Sequence, residues 1–239
     1  MLLKIKGIVI KEIGYKTSDK IVSILTMESE IVSFKAKGAK KLTSPFAKVT
    51  MLGTICEFEL ESKIDNGKYD LVEAKEIFYP KKISKSIESL AVLSFMVESL
   101  NFVKDVPDLY DEFTYLVALL ENDINPLFIS VYYLMKMISW EGVSLELDKC
   151  VKCGSSKSIV DLDYKLGGYV CYKCTFSSKD NDYLKMVRLF KKIEKEKLSN
   201  LILDYDLTYK ILLDLWDYFL DLGSYKLRSF EFMKQSLLK

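Results

Sequence analysis

The first 80 residues show an alternation of apolar and polar positions with the two-residue period of β-strands. The alternation is cleanest from Cys56 to Leu60, among many β-branched and aromatic residues. The pattern predicts five strands, at Leu3–Ile10, Lys20–Thr26, Ile31–Ala36, Thr54–Leu60 and Tyr69–Ala74. The tripeptide Asp65-Asn66-Gly67 predicts a tight turn before the last strand, because Asn and Gly tolerate positive φ.

After Pro80 the apolar positions recur every three or four residues, which indicates helices. Asn125 is a candidate N-cap, with Pro126 in the first turn. The predicted helical faces lie at Leu90–Leu100, Phe113–Leu120, Leu127–Ile138, Met186–Ile193 and Ile211–Leu222. We therefore predict an α+β chain, in which a five-stranded barrel of the oligonucleotide-binding (OB) type, residues 1–80, precedes an α-helical domain, residues 81–239.

Composition narrows the function. The 239 residues include no histidine, which excludes Ser–His and Cys–His catalytic pairs. No glycine-rich phosphate-binding motif occurs either, so we predict a non-enzymatic protein without catalytic residues. The longest uncharged run, Ile124–Met135, is far shorter than the roughly 20 apolar residues of a membrane span. The N-terminus lacks a secretory pattern, so we expect a cytoplasmic protein with reduced cysteines.

Four of the five cysteines form the pattern Cys-x2-Cys-x17-Cys-x2-Cys, which is typical of zinc sites. The predicted ligands are Cys150, Cys153, Cys171 and Cys174. Because four sulfur ligands leave no open coordination position, we predict one structural Zn²⁺ ion in an insertion at about residues 147–177. Iron in a rubredoxin-like site is the alternative metal. Cys56, which alternates with charged residues in a strand, is predicted to be a packed thiol.

One stretch of the predicted barrel is basic. From Ile31 to Cys56 there is no acidic residue, while five lysines occur: Lys35, Lys37, Lys40, Lys41 and Lys48. Lysines beside an aromatic residue such as Phe46 suit a barrel that holds single-stranded nucleic acid. A solvated charged loop is the other interpretation, and the net charge of +1 means that any binding surface must be local.

Three segments of the chain resemble the N-terminal barrel of the bacterial recombination-repair family RecO: Gly7–Ile10, Tyr15–Val22 and Lys37–Lys41. The four-cysteine insertion and the C-terminal segment Leu222–Ser229 are similar to that family too. The resemblance covers essentially the whole chain and keeps the order of its parts.

The resemblance implies a nucleoid-associated protein that binds single- and double-stranded DNA and anneals complementary strands. It also implies two protein partners, RecR and the acidic C-terminal tail of single-strand-binding protein, and help in loading RecA. By position it assigns DNA contact to Lys20 as well as to Lys35, Lys37, Lys40 and Lys41. The cysteines match the zinc-bearing members of the family. No motif allows the residues of the tail pocket to be transferred.

Two other functional classes stay open. A protein–protein adaptor would use the barrel and the zinc hairpin to grip polypeptide only, and the near-neutral charge favours it. A small enzyme would use acids such as Asp161 and Asp163. The enzyme is the weaker hypothesis, because the predicted metal is saturated with sulfur.

Overall fold

The N-terminal strands close into a five-stranded barrel in the computed structural model, which describes residues 2–63, 68–103, 106–223 and 226–238. The strands are β1 (Leu2–Tyr15), β2 (Asp19–Thr26), β3 (Ile31–Ala36), β4 (Ile55–Lys63) and β5 (Lys68–Phe78). Their order around the barrel is β1-β2-β3-β5-β4, and β4 returns to β1. Only β3 and β5 pair in parallel among these neighbours. The predicted α+β class, with an OB-type barrel ahead of helices, is confirmed.

Strand β1 pairs with two neighbouring strands. Its residues 2–8 pair with β4 and its residues 7–15 pair with β2, with a register shift between Val9 and Lys11. Ile8, Val9 and Ile10 are buried in succession at this crossover, whereas residues 11–15 are all exposed. The strand therefore ends as one arm of a hairpin with β2, five residues beyond its predicted end.

The barrel interior is filled by alternate side chains of the strands. The rings of Phe34 and Phe58 lie 5.2 Å apart in a cluster that also contains Val22, Leu60 and Leu71. Cys56 is completely buried there, and burial raises the pKa of its thiol to about 12. The prediction that Cys56 is a packed thiol is confirmed.

Outside the five barrel strands, the chain is mainly helical. Its helices are α1 (Phe46–Val49), α2 (Ile87–Ser99), α3 (Leu109–Glu121), α4 (Pro126–Trp140), α5 (Asn181–Lys192), α6 (Tyr205–Leu222) and α7 (Arg228–Ser236). Short 3₁₀ segments occur at Ile83–Lys85 and Lys195–Asn200, and a two-stranded hairpin consists of β6 (Ile159–Asp163) and β7 (Gly168–Cys171). The Asn125 side chain accepts a hydrogen bond from the Leu127 amide at 3.0 Å, which confirms it as the N-cap of α4. The sequence pattern missed α1 and α7.

The chain divides into two compact units. The first comprises residues 1–93 and 105–122, and the second comprises residues 94–104 and 123–239. Helix α3 belongs to the first unit, where the Glu121 carboxylate accepts hydrogen bonds from the amides of Lys82 and Ile83. The boundary near residue 80 stays a prediction, and the turn at residues 65–67 lies outside the described residues. Among those described, no helix has the length and apolar character that crossing a membrane requires.

Aromatic side chains hold the second unit together. The rings of Trp216 and Phe230 stack in parallel with centroids 3.7 Å apart, and Phe95 meets both rings edge-on. Phe230 is completely buried although α7 is only nine residues long. This stacking anchors the short helix, because nine residues alone would be only marginally helical in water.

We expect Phe230→Ala to lower the free energy of unfolding by about 3–5 kcal/mol, because it leaves a cavity between Trp216 and Phe95. Phe232→Ala on the same helix is the matched control, since the Phe232 side chain is half exposed. Urea titration followed by tryptophan fluorescence measures both variants. Equal losses of stability in the two variants would contradict this packing.

Candidate metal centre and nucleic-acid interface

The four predicted cysteine ligands lie together. One sulfur atom from each of Cys150, Cys153, Cys171 and Cys174 lies within 4.8 Å of the others. The Sγ atoms of Cys153 and Cys171 are 3.6 Å apart. That separation is far longer than the roughly 2.05 Å of a disulfide. It is close to the edge of about 3.8 Å that follows from a tetrahedron with Zn–S bonds of about 2.3 Å. The four cysteines could therefore hold one metal ion.

Two tight turns and one hairpin create this arrangement. In the first turn the Gly154 amide donates to the Cys150 carbonyl at 2.8 Å, and Gly154 has φ +75°, a conformation that favours glycine. In the second turn the Cys174 amide donates to the Cys171 carbonyl at 2.9 Å. Strands β6 and β7 join the turns, and Ile159 pairs with Cys171 at the metal end of this hairpin.

The ionisation of the thiols favours a cation at their centre. Burial opposes ionisation of Cys150, but amide donors, including those of Cys171 and Cys153, outweigh it and lower the pKa to about 6. The hydrogen bond with Cys153, followed by burial and the other thiols, raises the pKa of Cys174 to about 12. The four sulfurs cannot all ionise side by side without a cation, which bound metal would supply.

The end of the hairpin opposite the metal is fixed to helices of the same unit. The hydroxyls of Tyr164 and Tyr183 lie 2.7 Å apart, and Tyr183 donates to the Asp214 carboxylate at 2.6 Å. These bonds link the hairpin turn to α5 and α6. Burial is the main cause that raises the pKa values of both tyrosines, so the hydroxyls stay protonated donors.

An ion-pair cluster fixes the chain just before the first cysteine. The Asp148 carboxylate lies 2.7 Å from Arg188 and 2.5 Å from Lys192. Lys192 and then Arg188 lower the pKa of Asp148 to about 2. The folded pKa is depressed, so this contribution to stability is present at neutral pH and is lost only as the pH falls through strongly acidic values.

Five of the six predicted DNA-contacting lysines gather at one end of the barrel. The loop after β3 packs on the β1–β2 turn, where the Lys40 amide donates to the Ser18 carbonyl and the Gly38 amide to the Asp19 carboxylate, both at 2.9 Å. The Gly38 amide is also the main cause that lowers the pKa of Asp19. The resulting lysine cluster comprises Lys16, Lys20, Lys35, Lys37, Lys40 and Lys41.

Carboxylates hold several of these lysines in place. Lys35 and Lys37 both reach the Asp70 carboxylate, at 3.5 and 3.0 Å, and Lys20 pairs with Glu12. Asp70 is only 6% exposed, so it fixes the two lysines at the barrel wall. Among the residues that the structure describes, the six lysines of the cluster outnumber the three carboxylates named beside them, Glu12, Asp19 and Asp70, although the whole chain is nearly neutral.

Lys48 is not part of the lysine cluster. It pairs with Glu76 at 2.7 Å and its amine lies 4.5 Å from the centre of the Tyr79 ring. Glu76 is six positions after Asp70 along β5, which corresponds to about 20 Å. Phe46 packs against the barrel core, so it offers less surface for stacking than its position in the sequence suggested.

Two residues of this surface were not predicted from the sequence. The Lys40 amine donates to the Lys16 carbonyl at 2.8 Å, which places Lys16 beside the basic loop. Tyr15 is exposed next to it, with the Lys16 amine 5.5 Å from the ring centre. The only signal in the sequence was their position immediately before the turn.

A barrel with a basic end precedes helices that carry a four-thiol centre, an arrangement that is compatible with the class of nucleic-acid-binding proteins. Residues 1–78 match the family described as Recombination protein O N terminal, and residues 83–204 match Recombination protein O C terminal. The chain therefore belongs to the Recombination protein O (RecO) family, whose role is that of a mediator in DNA repair and recombination.

Individual relatives are similar to this chain over most of its length. The chain is 28% identical to the DNA repair protein RecO of Listeria welshimeri over 207 residues, which cover 83% of this chain and 80% of the relative. It is 26% identical to the DNA repair protein RecO of Bacillus cytotoxicus, with 98% of each chain covered. For the DNA repair protein RecO of Halalkalibacterium halodurans the identity is 24%, with 98% of this chain and 95% of the relative covered.

We expect Cys171→Ser to abolish stoichiometric metal binding and to lower the thermal midpoint, because one thiolate is removed from a four-ligand site. Cys56→Ser is the control for loss of a cysteine, since Cys56 lies in the barrel core and should leave the metal content unchanged. Elemental analysis of the purified proteins measures metal per chain. Full metal content in Cys171→Ser would contradict the assignment of this ligand.

Proposed function

We propose that this protein binds single- and double-stranded DNA through the lysine cluster of its barrel and anneals complementary strands. It then helps to load a recombinase onto strands coated with single-strand-binding protein. The observation that supports this most is the lysine cluster itself, at one end of an OB-type barrel in a chain of the RecO family. The action is binding rather than bond chemistry.

Phosphate is the chemical group that the lysine cluster suits. Lysine contacts phosphate as a compact point charge, and only two of the 35 basic residues, Arg188 and Arg228, are arginine. Such contacts fix the nucleic acid but do not select a base sequence. A DNA strand would compete with Asp70 and Glu12 for their lysines. Because each phosphate that a lysine neutralises releases counterions, binding should weaken steeply as salt is added.

The metal in this proposal is one structural zinc ion held by Cys150, Cys153, Cys171 and Cys174. A complete set of sulfur ligands leaves no position for water or substrate, so the ion would hold the hairpin in shape without taking part in chemistry. Iron is the alternative, and elemental analysis together with the visible spectrum separates the two, because zinc tetrathiolate is colourless and ferric tetrathiolate is not.

Two protein partners follow from membership of the family. We propose that the protein binds RecR and the acidic C-terminal tail of single-strand-binding protein, and that these contacts bring it to coated strands. No residue of either interface is assigned. An adaptor that binds polypeptide alone is the competing function, and the net charge of +1 is the observation in its favour.

We expect the variant with Lys35, Lys37, Lys40 and Lys41 changed to alanine to bind a fluorescent mixed-sequence single strand much more weakly than the unmodified protein. The slope of log affinity against log salt should fall by about 0.7 for each phosphate that the variant no longer neutralises. Fluorescence anisotropy at several salt concentrations measures both quantities. Annealing of complementary strands, followed by fluorescence quenching, should decline in parallel.

Two further variants make this test specific. Lys40→Ala with Lys41→Ala leaves both lysine partners of the buried Asp70 in place, so its effect on DNA binding would not come from loss of the Asp70 ion pairs. A variant with Lys81, Lys85, Lys185 and Lys197 changed to alanine removes the same charge from exposed positions elsewhere. If the unmodified protein bound no strand at low salt, the adaptor would be the better explanation. If both four-lysine variants lost affinity equally, DNA contact would not be specific to the lysine cluster, and a different basic surface would be the better explanation.

A further inference from the structure

Three exposed lysines surround the metal end of the β6–β7 hairpin, and their charge exceeds by one the formal charge of about −2 that four thiolates around a divalent ion would carry. Lys152, Lys157 and Lys173 are all exposed around the cysteines. Between Asp148 and Asp180 the sequence has only two acids, and neither opposes these lysines. Asp161 is buried, where it accepts hydrogen bonds from the Ser177 hydroxyl and the Leu162 amide, and Asp163 lies at the turn end of the hairpin.

The same end exposes two aromatic rings. Phe176 is completely exposed, and Tyr172 is 58% exposed with the Lys173 amine 5.8 Å from its ring centre. Single exposed apolar side chains are common on protein surfaces, but here two exposed aromatic rings lie together among lysines. We call Lys152, Lys157, Tyr172, Lys173 and Phe176 the hairpin tip.

The backbone of the hairpin tip is held in place. The two neighbours of Phe176 are joined, because the Ser177 amide donates to the Thr175 hydroxyl at 3.1 Å. The Ser177 hydroxyl in turn donates to the Asp161 carboxylate. Further on, the Lys179 amide donates to the Val160 carbonyl at 2.9 Å. Phe176 therefore stands on a turn that is tied to β6 rather than on a loose segment.

Hydrogen bonds also connect the two cysteine turns with the lysines of the tip. The Lys152 amine donates to the Cys174 carbonyl at 3.1 Å, so it bridges the first turn to the second. The Tyr172 amide donates to the Ser158 carbonyl at 3.0 Å, which brings the segment of Lys157 beside the second turn. The charges and the rings thus share one small surface around the thiols.

We propose that the hairpin tip is a second binding site for single-stranded nucleic acid, with bases stacked on Phe176 and Tyr172 and phosphates bound by the three lysines. Exposed aromatic rings among lysines are the combination that holds single strands without regard to sequence. The absence of an exposed acid from the tip favours a polyanion. This inference rests on the proposed function, because it adds a contact to a DNA-binding chain.

The stacking makes the site selective for strand type. Bases in a duplex already stack on one another and offer no free face, whereas bases in a single strand can stack on a side chain. The tip should therefore contribute to affinity for single strands and contribute little for a duplex of the same sequence. Barrel lysines that contact phosphate alone would show no such difference.

The test compares two double variants at opposite ends of one hairpin. Lys173→Ser with Phe176→Ala alters the tip, whereas Lys165→Ser with Leu166→Ala removes one lysine and one exposed apolar side chain at the turn end. The ends are separated by about 13 Å along β6. Fluorescence anisotropy measures binding of a short labelled mixed-sequence strand and of its duplex to the full chain, with metal content and thermal midpoint as checks of folding.

We expect the tip variant to bind the single strand roughly fivefold or more weakly than the control variant, with much less change for the duplex. The salt slope for the single strand should fall by about 0.7 for the one lysine removed. Equal affinities of the two variants would overturn the inference. Equal losses of affinity for single strand and duplex would also overturn it, because a charge effect without stacking would then explain the data.

A measurement on the unmodified protein covers the case in which the tip variant loses metal. Photocrosslinking to a bromouracil-substituted single strand, followed by mass spectrometry, should label the peptide that contains Tyr172 and Phe176. Absence of that peptide while barrel peptides crosslink would overturn the second site and leave the proposed function standing. If neither region crosslinked and no strand were bound, both proposals would fail.

Discussion

The pairing of β1 with two strands is the constraint on which the first unit depends. One half of β1 pairs with β4 and closes the barrel, while the other half continues past the barrel as an arm paired with β2. The register shift between Val9 and Lys11 allows the strand to change direction between its partners. Because the arm extends to Tyr15, the β1–β2 turn meets the loop after β3. The lysine cluster thus combines Lys16 and Lys20, at the β1–β2 turn, with the lysines of the basic stretch at residues 35–41.

The sequence predicted the elements whose buried positions recur with a regular period. Alternation identified all five barrel strands, and the spacing of Cys150, Cys153, Cys171 and Cys174 brought the four thiols together as expected. It did not predict the elements that are stabilised by strand pairing or by packing against residues distant in the sequence. All of residues 11–15 are exposed, so no alternation of buried and exposed positions identifies them as part of a strand. Helix α7 is short and mostly polar, and its position depends on Trp216, which lies in a different helix. The separation of Lys48 from the other lysines follows from its pairing with Glu76, which a local pattern does not contain.

The chain is nearly neutral overall and still has a basic surface, because its lysines are concentrated at one end of the barrel. Asp70 and Glu12 lower the net positive potential of the lysine cluster, but they also hold flexible lysine side chains at defined positions. Ordering a lysine costs conformational entropy, and a side chain that is already ordered loses less when a phosphate replaces its carboxylate partner. Under the proposed function, lysine contacts to phosphate would release counterions from the DNA, so affinity would depend on salt rather than on base sequence.

The hairpin in the second unit shows how a structural ion and a binding surface can be a single feature. A two-stranded sheet of this size is marginal in water, so the stability of its two ends has to come from elsewhere. At the turn end it comes from the hydrogen bond between the hydroxyls of Tyr164 and Tyr183 and from the bond that Tyr183 donates to Asp214. At the other end the four thiols supply it once they share a cation. Phe176 and the lysines around it are displayed by that second end alone, and a rigid display lowers the entropic cost of binding a strand. In the proposed second site, a metal without any open coordination position would still raise affinity for nucleic acid, because it would fix the surface that its ligands carry.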